Sequence, residues 1–287
     1  MLNGLWRDLE TAIEPACRQF SRSNELRARI EELRVTYRAS SVHGAPNFGR
    51  ESTRLAYGIA YHSPHAYAYL HLLARRGLGD TVFGNIGRPP TVMVLGAGLG
   101  AETVAVVRWL ESRNLDVLRG ARFILVDRAD WGATREKVLL PTIGDSLSKN
   151  NVDLVQWQVD LSTTQGLSLI RQHAGNADII LVPSMLTEMI TERCEAPFLK
   201  TLVGSMASGS KLVLVDHRQP DFQHVSLQWS HQFETLLRDS HERGGVAIPP
   251  PGSWIKRNFL DGANNRIPIT SYPFSWSVLR KPTTSTG

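Results

Sequence analysis

The sequence predicts an α/β protein: a doubly wound, mostly parallel sheet carrying an N-terminal helical cap. Three observations predict it. Residues 1–85 place apolar side chains at helical spacing. From residue 91, short apolar β-branched runs alternate with helical segments. Residues 271–279 then alternate in the manner of a closing strand. The expected division is a cap or lid over 1–85 and a Rossmann-like domain over 86–287.

In the cap, Leu5, Leu9 and Ile13 recur every four residues. Asn24 is placed to cap a second helix striped by Leu26, Ile30, Leu33 and Tyr37. Ala39 to Gly49 reads as a polar connector, and another helix is expected from about Arg50. Ser63-Pro64 reads as a fresh helix start, with Ser as cap and Pro at the first position. Ala66, Tyr69, Leu70 and Leu73 form its stripe and Gly77 its stop. The expected strands are Thr91–Leu95, Arg122–Val126, Val152–Val159, Asp178–Val182 and Lys211–Val215. Four are almost wholly apolar, as strands covered on both faces are. Residues 223–243 read as a helix, Ile248–Gly252 as a Pro-rich loop and Ser271–Leu279 as an antiparallel terminal strand.

Composition narrows the function classes. Of 287 residues, 32 are Lys or Arg and 27 Asp or Glu, a net charge of +5. That permits a nucleic-acid partner without requiring one, and no run of basic residues is dense. Two cysteines, Cys17 and Cys194, exclude a disulfide scaffold and any Cys-based zinc or iron–sulfur site. No metal site is expected. The first residues lack a signal-peptide pattern, and no apolar stretch reaches the roughly 18–20 residues of a membrane span. The expectation is a cytoplasmic protein without a membrane partner.

The strongest signal is Val92-Met93-Val94-Leu95-Gly96-Ala97-Gly98-Leu99-Gly100-Ala101-Glu102. It follows a strand and opens a helix, so the glycines let backbone approach a ligand beside free helix N–H groups. The string fits the dinucleotide fingerprint G-x-G-x-x-A. It also fits the G-x-G-x-G loop of S-adenosyl-L-methionine (SAM) enzymes, and a purely structural turn is a third, less favoured reading. Three features favour SAM. The loop lies behind a helical region rather than opening the domain. Glu102 follows closely, where a pyrophosphate would be repelled. A terminal strand closes the sheet. Asp127, at the end of the second strand, is placed to accept from both ribose hydroxyls. Its separation from Gly96, 127 − 96 = 31 residues, exceeds the ~20 of the dinucleotide pattern. Asp160 ends the third strand, where it can accept from the adenine amino group; a turn aspartate is its plainer role.

On these residues, 90–220 resemble class I SAM-dependent methyltransferases. Gly96, Gly98 and Gly100 match the glycine motif, Asp127 the ribose acid, Asp160 the adenine-side acid, and Ala177–Ser184 the fourth-strand motif. The resemblance implies a cofactor site of Gly96, Ala97, Gly98, Glu102, Asp127, Arg128, Asp160, Leu161 and Pro183, with SAM as cofactor. A narrower likeness runs through Tyr61–Tyr67, Ser184–Met189 and Leu212–Asp216. These segments are similar to methyltransferase-like proteins of the mitochondrial small ribosomal subunit. That family carries a cysteine cluster for a metal centre. This chain has none, so neither the metal nor the ribosomal role carries over.

Methyl transfer is an in-line displacement on a sulfonium, so the protein must align reactants and exclude water. A base is needed only for a protonated acceptor. His217 at the end of the fifth strand, Glu188 after the fourth, and Tyr61 in the cap are the catalytic candidates. Tyr61, His62 and His65 are placed to cover the cofactor, Arg50 and Arg54 to pair with a carboxylate, and Trp131 to pack near the adenosine. Each has a plainer reading as packing, capping or solvated charge. Aromatic residues around Tyr57–Tyr69 and Trp254–Trp276 suit a substrate wall, a base-stacking platform or simple core. Lys256, Arg257, Arg266, Arg280 and Lys281 make the C-terminal part basic. The leading reading is a methyltransferase acting on an N or O nucleophile of a small molecule. An RNA methyltransferase and an inactive SAM-binding assembly factor are the alternatives, with a nicotinamide enzyme behind them. No Asn/Asp-Pro-Pro-aromatic motif follows the fourth strand; Pro183-Ser184-Met185-Leu186 stands there. A homodimer is compatible with all of these.

Overall fold

The computed structural model describes residues 2–20, 24–38, 46–75, 77–84, 86–113, 116–217, 232–239, 246–247, 271–272 and 274–283. Five helices come first: α1 (Leu2–Cys17), α2 (Glu25–Arg38), α3 (Glu51–Tyr57), α4 (Ser63–Arg75) and α5 (Leu78–Phe83). Leu5, Leu9 and Ile13 of α1 are all buried, as their four-residue spacing requires. α2 starts one residue after Asn24, whose carbonyl accepts from Ala28 N at 2.9 Å. Gly77 takes a left-handed conformation (φ 68°) between α4 and α5.

The alternating part follows as β1 (Thr91–Leu95), α6 (Ala101–Ser112), β2 (Arg122–Asp127), α7 (Gly132–Lys149), β3 (Asp153–Gln158), α8 (Thr164–His173), β4 (Ile179–Pro183), α9 (Leu186–Thr191), α10 (Glu195–Ser205) and β5 (Lys211–His217). Then come β6 (Glu234–Asp239), β7 (Val246–Ala247), β8 (Ser271–Tyr272) and β9 (Phe274–Arg280). Seven strands form one sheet in the order β3-β2-β1-β4-β5-β9-β6, and β7 pairs with β8 separately. β3, β2, β1, β4 and β5 run parallel. β9 inserts antiparallel between β5 and β6. This is the Rossmann-like, doubly wound class. Its order reverses between β1 and β4, and that switch point is where such sheets hold ligands, outside the carboxyl ends of the strands.

Strand side chains alternate between two cores, the period-two rule applied to a sheet covered on both faces. Val92, Val94, Phe123, Leu125, Val213 and Val215 join one core with α4, α5 and α6 and with Leu5 and Leu9 of α1. Met93, Leu95, Ile124, Val126, Leu212 and Leu214 join the other with Ile170, Phe198 and Leu202. A third cluster ties Ile13, Leu26, Ile30, Leu33 and Leu55 to Val138 of α7. Each fully buried aliphatic or aromatic side chain contributes about 1.5–3 kcal/mol.

Two expectations are corrected. Ser63-Pro64 is not a fresh helix start. α3, a wider π turn over Gly58–His62, and α4 form one unbroken helical run, with Tyr57, Gly58 and Ser63 all right-handed. Pro64 has no N–H and its ring crowds the carbonyl four residues back, Ala60, which lies inside the widened turn. Second, Glu234–Asp239 is a strand rather than part of a helix. Its Glu, Leu and Arg residues are good helix formers, but propensity is worth only tenths of a kcal/mol per residue and pairing with the free edge of β9 overrides it. The rest of that expected helix (218–231 and 240–243), the loop 248–252, residues 39–45, Trp254 and Phe259, and Lys256, Arg257 and Arg266 lie outside the described residues.

Candidate functional site

β1 ends in the glycine loop. Gly96 N and Ala97 N donate to Val126 O at 2.9 and 3.0 Å, which seats the loop on the end of β2. Gly96, Gly98 and Gly100 have φ of 74°, 48° and 86°, a region that L side chains resist. A Cβ on Gly96 would also stand 3.1 Å from the Met185 side chain. Gly100 then caps α6, whose first turn points its N–H groups towards the loop.

Asp127 is the organising acid. Its Oδ2 accepts from Gly98 N at 2.8 Å and its Oδ1 from Ala129 N at 2.9 Å. Each oxygen keeps acceptor capacity, since a carboxylate oxygen takes two bonds. Asp160 makes a turn: its Oδ1 accepts from Ser162 N and Oγ at 2.9 and 2.7 Å. Arg128, next to Asp127, donates to Glu188 at 3.2 Å and to Glu192 at 3.0 Å.

Beneath the loop lies Arg135 of α7, only 3% exposed. Its Nε and one terminal nitrogen donate to Gly98 O at 2.8 and 2.5 Å, and the other donates to Gln156 Oε1 at 2.9 Å. Burial lowers its guanidinium to about 10, opposed by the charges of Asp127, Glu102 and Asp130. Sequence reasoning missed this residue. The available signal was a cation on the apolar stripe of α7, level with Val138, Leu139 and Thr142.

A cavity opens above these groups, with about 1060 Å³ of space including its mouth. Every residue expected at the cofactor site lines it: Gly96, Ala97, Gly98, Glu102, Asp127, Arg128, Asp160, Leu161 and Pro183. Glu188 and Tyr61 line it too. His217 ends β5, on the same edge of the sheet; its side chain lies outside the described residues. Arg54 holds Thr134 and Phe48 O instead of facing the cavity. Tyr69 belongs to the main core.

The N-terminal helices supply an aromatic wall. Tyr57 stacks on Tyr61 with centroids 5.5 Å apart, and Tyr37 meets Tyr61 edge-on at 4.9 Å. Phe48 and Tyr57 close on Trp131 at 4.8 and 5.4 Å. Tyr37 and Phe48 went unremarked in the sequence as cavity residues: the face α2 presents is set by its packing, and Phe48 stands in the turn before α3. In a regular helix, Tyr57, Tyr61 and His65 share a face. His62, the last residue of the π turn, lines the cavity as well.

The charges are mostly negative. Arg128 is the one Lys or Arg among the described lining residues, and it is already paired. Glu102 is 5% exposed, and burial raises its carboxyl to about 8, with Arg135 opposing, so it is mainly neutral at pH 7 and does not supply the repulsion of a pyrophosphate expected of it. Burial raises Glu188 as well, against Arg128 and with help from Asp127 and Glu192. His62 is pushed down to about 3, first by burial and then by Arg135.

No known protein family and no curated protein matches the sequence. Solved structures do show similarity. An N-methyltransferase from Bradyrhizobium japonicum, in complex with S-adenosyl-L-homocysteine, shares 13% identity over 76% of this chain and 99% of its own, with a TM-score of 0.40. A SAM-dependent O-methyltransferase from Thermotoga maritima shares 10% over 75% of this chain and 67% of its own, with a TM-score of 0.44. An rRNA methylase from Streptococcus thermophilus shares 10% over 71% and 93%, with a TM-score of 0.40. The chain has a Rossmann-like, doubly wound α/β fold, and these three proteins similar to it are methyltransferases.

Proposed function

We propose that the chain is a SAM-dependent methyltransferase acting on an N or O nucleophile of a small organic molecule. The carrying observation is the charge of the cavity around the glycine loop. Asp127, Asp160, Glu188 and Glu192 line it, while Arg128, the one Lys or Arg among the described lining residues, is engaged by two of them. A pyrophosphate would meet carboxylates there, whereas a cofactor with a sulfonium and an ammonium gains from them. That favours SAM over a dinucleotide on a loop that fits both.

The residues fit that cofactor. Gly96 and Gly98 bring backbone close, and the first turn of α6 offers N–H groups to a carboxylate. Asp127 would take the ribose hydroxyls, with Asp160 and Leu161 on the adenine side. Bound SAM supplies an activated methyl group. The protein's own part is alignment and water exclusion, with Tyr57, Tyr61 and Trp131 closing the wall. Glu188, raised towards neutral pH, is the better placed proton acceptor; Tyr61 and His217 are the other candidates. In this reading residues 1–85 act as the cap of the domain 86–287, working in the cytoplasm.

A small acceptor is preferred to RNA for two reasons. Among the described residues, the cavity is walled by aromatic side chains, and its one cation, Arg128, is paired with Glu188 and Glu192. In the basic C-terminal part, Arg280 pairs with Glu234 and Lys281 donates to Val203 O at 2.7 Å. Calorimetric titration with S-adenosylhomocysteine (SAH), with NADH in parallel, tests the proposal. SAH is expected to bind and NADH not, and Asp127→Ala should weaken SAH by about tenfold or more, the loss of a charge-assisted bond. Binding of NADH alone would return the loop to a dinucleotide role.

A further inference from the structure

We propose that His62 grips the methyl acceptor, an uncharged flat aromatic molecule whose O–H or N–H the imidazole hydrogen-bonds. This rests on the methyltransferase reading and names its substrate class.

His62 is the last residue of the π turn and is 1% exposed. It lines the cavity, yet neither ring nitrogen has a hydrogen-bond partner among the described residues. Buried histidines of a core are paired, because an unmet buried donor or acceptor is costly. His62 also closes a π turn, a local departure from a regular helix of the kind found at functional sites. Because the ring lines the cavity, we take the group that satisfies it to be part of what the cavity holds.

The surroundings define that group. Arg135 lies close enough to act on His62 electrostatically. With burial, it keeps the imidazole neutral, so the ring offers one donor and one acceptor. The same guanidinium disfavours an ammonium at this point. Asp127, Glu188 and Glu192 disfavour an anion. An uncharged molecule remains, and the neighbouring rings of Tyr57 and Tyr61 suit a flat one. Proton removal is not His62's task, since an imidazolium beside Arg135 would bring two buried cations together. It orients the acceptor by hydrogen bonding.

The test uses 1-naphthol and 1-methoxynaphthalene, which differ in the O–H alone, with 1-naphthoate and 1-naphthylmethylammonium as charged counterparts. Binding to wild type and His62→Phe is measured by saturation-transfer NMR and titration, with and without SAH, alongside Tm. Wild type should prefer naphthol to its ether and to both ions by about fivefold or more. His62→Phe should lose that preference, keep its SAH affinity and melt no lower than wild type, since two orphaned nitrogens are removed. No preference in wild type, or one that survives His62→Phe, overturns the proposal. So does a Tm several degrees lower, which marks a core role, or weakened SAH binding, which makes the cofactor the partner of the ring. Failure of wild type to bind SAH overturns the methyltransferase reading instead, and the naphthol pair measured without SAH still decides His62.

Discussion

Replacing Arg135 by Met separates what the buried cation costs from what it holds. Its guanidinium sits at about 10 instead of 12.5. At 1.36 kcal/mol per pH unit, that depression is a net cost of about 3 kcal/mol, burial less the attraction of Asp127, Glu102 and Asp130. Against it stand two bonds to Gly98 O and one to Gln156 Oε1. Bonds from a charged donor contribute about 1.5–3 kcal/mol each, so three outweigh the penalty by roughly 1–6 kcal/mol. The two sharing one carbonyl place the net near the low end. Arg135→Met should therefore cost about 1–3 kcal/mol, a fall in Tm of roughly 2–10 °C for a chain of this size. The larger effect should be on the loop. Gly98 is held at φ 48° between Asp127 on its N–H and Arg135 on its carbonyl. Without the second hold, SAH affinity should drop about tenfold. Arg135→Lys, a single point charge, should recover less than half of that free energy, because the fork is lost. Calorimetry and thermal melts on the three proteins measure both effects. SAH affinity unchanged in Arg135→Met would refute the claim that this residue shapes the site.

Three further outcomes are expected. Glu102 is raised in the folded state from 4.5 to about 8, so the native protein binds more protons than the unfolded one between those pH values. Its contribution is complete below pH ~4.5 and is lost by pH ~8, up to about 5 kcal/mol in all. Urea melts at pH 5 and 8 should show that fall in wild type and a flatter profile in Glu102→Gln. Gly96→Ala combines φ 74° with a Cβ 3.1 Å from Met185, and should weaken SAH by about tenfold at a stability cost of about 1–3 kcal/mol; titration and melting check it. Lys211 spans from β5 to α5, its Nζ donating to Thr81 O and Val82 O at 2.8 and 2.7 Å. Lys211→Met should lower stability by about 1–3 kcal/mol, read as Tm, without changing SAH affinity.

The five parallel strands were legible because each carries a run of β-branched and apolar residues, buried on both faces in β1, β2, β4 and β5 and only partly in the edge strand β3, and their observed ends fall within two residues of the expected ones. The glycine loop was legible because three glycines at that spacing have few other uses after a strand. What stayed hidden depends on partners remote in sequence. Glu234–Asp239 becomes a strand only because residues some forty positions later offer it an edge. Arg135 reads as an ordinary helix cation until Gly98 O is placed above it. Tyr37 reads as one more apolar position in α2 until α2 meets Tyr61. The π turn carries no pattern of its own beyond Pro64, which reads equally well as a helix start.

The position of β9 has a consequence for synthesis. The strand slots between β5 and β6, both of which leave the ribosome before it. Until residue 280 has emerged, β5 displays a row of unpaired amides and carbonyls beside the apolar run Leu212–Val215, and β6 has no neighbour at all. A nascent chain paused in that interval offers a template for a second strand from any source. Chaperone demand during translation should therefore peak after the glycine loop is complete, and clipping within Phe274–Arg280 should yield aggregates rather than a smaller folded domain.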